Sequence, residues 1–164
     1  MDSLPFGIEG YRLVRAGKDD EDFILDCMRE NILCSVPKDE KDLRDLWIDD
    51  IMAIVSKNMG GGSMGNEVFK LVSGNENAGM LWMGISKDQF TCEEIGYLLG
   101  IFVRKDLRGK GLGKELVRSA EVWCTENGLL TMALNVGTVN GPAVCLYESM
   151  GYKGQSVVMR RFLK

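Results

Sequence analysis

Ten consecutive residues constrain this chain more than any others. Glu94 to Val103 reads Glu-Ile-Gly-Tyr-Leu-Leu-Gly-Ile-Phe-Val. The run is far shorter than the ~18–20 apolar residues of a membrane helix. It is too continuously apolar for a strand with one wet face, so it predicts a strand buried on both sides under helices. A short basic loop follows at once. Then comes a segment, 112–127, in which Leu112, Leu116, Val117, Ala120, Trp123 and Cys124 recur at helical spacing, with Gly128 placed to cap the end. Residues 129–136 read as another strand, so strand, helix and strand form a right-handed crossover unit.

The flanking sequence fills in the layers. Residues 11–15, 68–73 and 78–85 read as strands, and 152–162 as one or two more. Residues 19–33 read as a helix capped by Asp19 or Asp20. Residues 38–58 read as a second helix striped by Leu43, Trp47, Ile51, Ile54 and Val55, stopped by the glycines at 60–62. Residues 140–150 form a short helix with Asn140 as cap and Pro142 in its first turn. A chain of 164 residues has the size of one domain, spanning 1–164. The expected fold is α/β: a mixed central sheet of six or seven strands with about four helices, splayed between the fourth and fifth predicted strands.

Composition removes several chemistries. There is no histidine, hence no His base, no Ser-His or Cys-His nucleophile pair and no His-ligated metal. The five cysteines are odd in number and show no CxxC spacing, which reads as reduced thiols, mostly core fillers, with no metal expected. The net charge of −4 argues against nucleic acid. Yet Arg104, Lys105, Arg108, Lys110 and Lys114 fall within eleven positions, a local spot suited to a small anion. The N-terminus lacks a basic, apolar leader and no run is long enough to span a bilayer, so no membrane partner and a cytoplasmic location are expected.

The basic loop contains Gly109, Gly111 and Gly113 at the start of the predicted helix. Free N–H groups of a first helical turn, approached closely through glycine, bind phosphate. The dinucleotide fingerprint G-x-G-x-x-G fails, because the spacing is G-x-G-x-G. The P-loop fails too, because Lys114 precedes Glu115 rather than Ser or Thr.

What fits is Arg108-x-x-Gly111-x-Gly113 directly after a strand, and here the chain resembles the GCN5-related N-acetyltransferases. A second block, Asn140-Gly141-Pro142-Ala143 through Tyr147-Glu148 to Gly151-Tyr152, is similar to that family's Asn-x-x-Ala-x-x-x-Tyr segment. The resemblance implies acetyl-CoA as co-substrate and an amine as acceptor. It implies that backbone groups of Ile101, Phe102 and Val103 pair with the pantetheine arm, and that amides of Arg108, Gly109, Lys110, Gly111, Leu112, Gly113 and Lys114 hold the diphosphate. Asn140 would contact CoA, and Tyr147 would protonate the departing thiolate. For the base, Glu94 is favoured over Glu93 or water alone. Twelve acids between 19 and 50 read either as a wall for a cationic amine or as solvated helix faces. A CoA-binding regulatory domain without turnover is the alternative function. Homodimers are common in the family, so a second copy is a partner to test for.

Overall fold

The computed structural model describes residues 1–35, 37, 50, 52, 53, 55–57, 66–159 and 161. Three helices are complete within them: α1 (Glu21–Ser35), α2 (Leu112–Glu126) and α3 (Gly141–Ser149). Residues 50, 52, 53 and 55–57 are helical as well, within the second predicted helix; the rest of that helix and the glycines at 60–62 lie outside the described residues. Six strands make one sheet in chain order: β1 (Ser3–Leu4), β2 (Arg12–Arg15), β3 (Glu67–Ser73), β4 (Glu76–Lys87), β5 (Glu94–Val103) and β6 (Met132–Leu134). β1 to β5 pair antiparallel, while β6 joins β5 in parallel after the crossover through α2. The sheet is mixed, as its sequence predicts.

Two expectations change. β1 adds a strand of two residues, too short for any alternation to reveal, so the splayed strands are the fifth and sixth. The strand expected across 152–162 does not form in residues 152–159 or 161; residues 160 and 162 lie outside the described set. Tyr152 is still anchored, with its ring edge-on to Tyr147 and its hydroxyl donating to Glu121 Oε1 at 2.9 Å. Beyond it no strand lies alongside, and Val157, Val158 and Met159 are 78–90% exposed.

Each sheet face has its own core. On one, α2 buries Leu112, Leu116, Val117, Ala120 and Trp123 against Leu13, Phe69, Leu71, Leu81 and Leu98. This is the stripe read from the sequence, and Gly96 lets the helix lie close: a Cβ there would collide with Cys124 Sγ. On the other face, Ile24, Cys27 and Met28 of α1 pack with Val55, Met80 and Trp82. β5 has helices on both faces but lies fifth of six in the sheet, and Leu99 is 40% exposed, so it is not the fully buried central strand its composition predicts; β4, buried from Ala78 to Gly84, comes nearer to that. Cys27 and Cys124 are core residues, but Cys34, Cys92 and Cys145 are exposed, so the thiols are not mostly core.

Candidate active site

The site begins where β5 outruns β6. Their parallel ladder covers only Gly96↔Met132, Tyr97↔Ala133 and Leu98↔Leu134. From residue 99 to 103 no strand among the described residues lies on that side of β5. The register against β4 also shifts here: Trp82 opposes Gly100 and Met83 opposes Leu98, which leaves Leu99 as an extra, bulged residue.

Alternation then decides which main-chain groups face the gap. The Arg104 N–H donates to the Ala78 carbonyl at 2.9 Å. In an antiparallel ladder, every second residue bonds the same neighbour. Phe102 therefore turns its N–H and C=O toward β4, while Ile101 and Val103 turn theirs to the open side. Phe102 thus has no free main-chain group for a ligand arm; its contribution is a ring that lines the cleft beneath the Arg108 guanidinium, 5.5 Å from the ring centre. The outward carbonyls are already engaged. Asn31 Nδ2 of α1 donates to Ile101 O at 2.8 Å, and Arg108 Nε donates to Val103 O at 2.9 Å.

Below the open edge lies the glycine loop. A 3-10 turn, Lys105–Leu107, ends β5's exit, and Gly109 and Gly111 follow with φ of +78° and +81°. An L side chain in that left-handed region costs roughly 1–2 kcal/mol, which explains glycine at Gly111, the N-cap of α2. The first helical bond runs from Glu115 N–H to Gly111 O at 3.1 Å. The N–H groups of Leu112, Gly113 and Lys114 precede that ladder and have no helical partner, at the positive end of the helix dipole. The basic cluster sorts itself around them. Arg104 is held by Asp106 and Glu76, and Lys105 by Glu30 at 2.8 Å. Lys110 and Lys114 form no ion pair among the described residues, and Lys114 lines the cleft whereas Lys110 does not.

Edge, loop and helices enclose one cleft of about 590 Å³. It gathers Ile101, Phe102, Val103, Arg108, Gly109, Gly111, Leu112, Gly113, Lys114, Asn140 and Tyr147 from the sequence reading. Asn140 caps α3, its Oδ1 accepting from Ala143 N–H at 3.4 Å. Tyr147 is 7% exposed, and burial pushes its phenol up to about 12. Its hydroxyl forms no hydrogen bond among the described residues. Glu94 is exposed at the far end of β5, opposite Lys87, and neither it nor Glu93 lines the cleft. Among the lining residues outside the sequence reading, which include Ser35 and Asn135, Asn31 is the one bonded to β5's outward edge. A lone Asn near a helix's end carries no motif, and only the fold brings it to β5.

An extended arm ending in a diphosphate fits this donor set: two outward strand amides, then unpaired helix amides beside a lysine. A family's sequence profile agrees. Residues 34–152 match the Acetyltransferase (GNAT) family. YdgE of Bacillus subtilis (strain 168), an uncharacterized N-acetyltransferase, is 26% identical over 98 residues, which are 60% of this chain and 62% of YdgE. The match thus spans less than two thirds of that relative's length. Among solved structures, a Pyrococcus furiosus protein proposed to be an acetyl transferase superposes with a TM-score of 0.74 at 27% identity, over 93% of this chain and 99% of its own. AAC(6')-Iy, solved with the bisubstrate analog CoA-S-monomethyl-acetylneamine, gives 0.68 at 16% identity over 94% and 99%, a likeness of fold. With both motif blocks inside the matched stretch, and that stretch covering well over half of its length, the chain belongs to the Acetyltransferase (GNAT) family.

Proposed function

We propose that this protein moves the acetyl group of acetyl-CoA to a primary amine by direct attack, the amine belonging to a small molecule, a polyamine or a peptide. The observation that carries the reading is the meeting, in one cleft, of β5's open edge, the free amides of α2's first turn and Tyr147.

Acetyl-CoA brings a thioester already activated toward amines. Around it, the amides of Gly111 to Lys114 and the Lys114 ammonium hold the diphosphate. The outward N–H groups of Ile101 and Val103 receive carbonyl oxygens of the arm, as an added strand would. One of them faces the oxygen on which charge develops. Asn140 lines the same cleft and sets the start of α3, which carries Tyr147 to the sulfur. With its pKa at about 12, Tyr147 keeps its proton at neutral pH. Full transfer to a thiolate of pKa near ~8.5 runs uphill by more than three decades. Its support is therefore a hydrogen bond donated to the sulfur as the C–S bond breaks.

The amine must lose a proton. At a pKa near ~10.4, about one alkyl amine in 2,500 is neutral at pH 7. No carboxylate lines the cleft among the described residues. Glu94 lies five positions before Leu99, roughly 16 Å along an extended strand, too far to take the proton directly. Among the described residues, then, water takes the proton, and Glu94 acts at most through water. The acidic positions 39–49, one reading of an acceptor wall, lie outside the described residues.

Release of free thiol from acetyl-CoA, followed against a panel of primary amines that includes a polyamine, a lysine peptide and an aminoglycoside, tests the proposal. Amine-dependent release is expected. CoA binding without release from any amine would instead point to a regulatory CoA-binding domain, and failure to bind CoA would overturn both.

A further inference from the structure

The outward face of β5 holds two donors and two acceptors that could meet a ligand arm: the N–H and C=O of Ile101 and of Val103. Both acceptors are taken by side chains from other elements. Asn31 Nδ2 occupies the Ile101 carbonyl at 2.8 Å, and Arg108 Nε occupies the Val103 carbonyl at 2.9 Å. The donors are left. A strand edge normally offers both kinds of group and pairs with an arm in more than one register. Each carbonyl keeps a second lone pair, but with one engaged by a side chain on the open side this stretch favours carbonyl oxygens over N–H groups.

Asn31 and Arg108 differ in what they can do. Arg108 belongs to the loop and reaches a carbonyl at the strand's exit, so its bond shapes the phosphate cradle. Asn31 comes from α1 on the opposite wall and reaches the middle of the open stretch, two residues past the bulge. An uncapped Ile101 carbonyl would hold water or an amide N–H of the arm, drawing the arm out of register. It would also leave a lone pair beside the oxygen that gathers negative charge in acyl transfer. Capping lessens both problems.

We propose that Asn31 is a positioning residue for acyl transfer: by engaging the Ile101 carbonyl it disfavours registers in which an N–H of the arm takes that oxygen, and so holds the arm where the Ile101 N–H meets the thioester oxygen. The inference rests on the acetyl-CoA reading above. It adds a residue outside both sequence blocks, acting through the backbone of another.

The test uses the full chain and acetyl-CoA labelled with carbon-13 at the thioester carbonyl. Infrared difference spectra report how strongly that carbonyl is hydrogen-bonded, because donation to its oxygen lowers the stretching frequency. The wild-type protein should shift the band downward relative to free acetyl-CoA. Asn31→Leu, similar in volume but without a donor, should lose at least about half of that shift while CoA affinity, by calorimetry, stays within roughly twofold. Asn31→Asp, which also lacks the donor and keeps the polar shape, should behave like Asn31→Leu; Asn31→Gln should restore part of the shift.

A wild-type band position in Asn31→Leu or Asn31→Asp overturns the proposal, since a merely structural Asn31 would leave the bound carbonyl alone. Tighter CoA binding in either variant also overturns it, because the arm would then be using the Ile101 carbonyl as an acceptor. Should the wild-type protein fail to bind acetyl-CoA, the acetyl-CoA reading itself is what has failed.

Discussion

Tyr147 shows how a buried residue serves a site that its motif only names. Its ring packs in the core beside Tyr152, at 5.9 Å between centres, and the residue also lines the cleft. Burial raises its pKa to about 12, so it remains a donor across the working range. Tyr147→Phe keeps the ring and removes the donor. We expect turnover to fall ten- to a thousandfold, with acetyl-CoA affinity nearly intact, measured by thiol release and calorimetry. A large loss of affinity at unchanged turnover would contradict the role. The pH profile offers a second check: a group that deprotonates near 12 cannot shape a limb below about pH 10, so any alkaline fall in turnover before that point belongs to another group. Glu94 makes the opposite forecast. Exposed and remote from the cleft, it should tolerate Glu94→Gln with turnover changed by less than about twofold. The motif made Tyr147 legible at this scale. Glu94 was legible only as an acid on the central strand, because sequence gives no distance along that strand to the gap.

At the scale of elements, sequence periodicity served best where a segment is long and one-faced. The stripe of α2 appears as read and β5 forms over the expected residues, Glu94–Val103, and both flank the site. What escaped was set by neighbours. β6 shrinks to three residues because pairing, not composition, defines a strand. The end of α1 supplies Asn31 because the fold packs that helix against β5. Two element-level forecasts follow from the geometry. Gly111→Val forces a branched side chain to φ +81° at the N-cap of α2. It should cost about 1–2 kcal/mol, or roughly 2–8 °C in Tm, and weaken CoA at least tenfold by turning the cradle amides. Gly141→Ala, where an added methyl meets nothing within 4 Å, is the matched control. The second forecast concerns the start of α1. Asp20 Oδ1 accepts from Lys70 Nζ at 2.6 Å and Oδ2 accepts from Gly17 N–H at 2.8 Å. Burial raises the Asp20 pKa most, but the Lys70 and Gly17 bonds together overcome it and hold the carboxyl below its usual value. That stabilisation is complete above the ordinary carboxylate pKa and is lost as pH falls through the lower, folded one. Urea unfolding should therefore show wild-type stability declining below about pH 4. In Lys70→Met the carboxylate loses its cation, costing about 2 kcal/mol near neutrality after allowance for partial exposure, and the acid decline should flatten.

Across the whole molecule, the cleft is a seam as well as a site. The sheet is continuous through β5 and α2 packs on one of its faces, but β6 joins the edge of β5 only through a parallel ladder of three residue pairs that stops at Leu98. Beyond that point β5 and β6 are separated by the very gap that would admit an arm. A ligand spanning strand edge and helix terminus bridges that gap and binds only the folded chain, so its affinity must appear as stability. At a hundred times its Kd, CoA should add about 2.7 kcal/mol. For a chain of this size that corresponds to roughly 5–11 °C in Tm. Amide hydrogen exchange should slow at 99–103 and 109–114 in the complex and change little in β2 and β3, which lie across the sheet. On the proposed reading the unpaired amides of α2 answer the diphosphate, so pantetheine alone, at the same concentration, should raise Tm by only a small fraction of the CoA effect. Salt should separate the two further. Lys114 contributes through a charge at the cleft's edge, and raising ionic strength from 0.1 to 1 M shortens the screening length from about 10 to about 3 Å. The CoA shift should shrink accordingly, while any pantetheine shift stays level. Equal stabilisation by pantetheine and CoA, or a CoA shift indifferent to salt, would mean that the turn at Gly111 is not where the ligand is held.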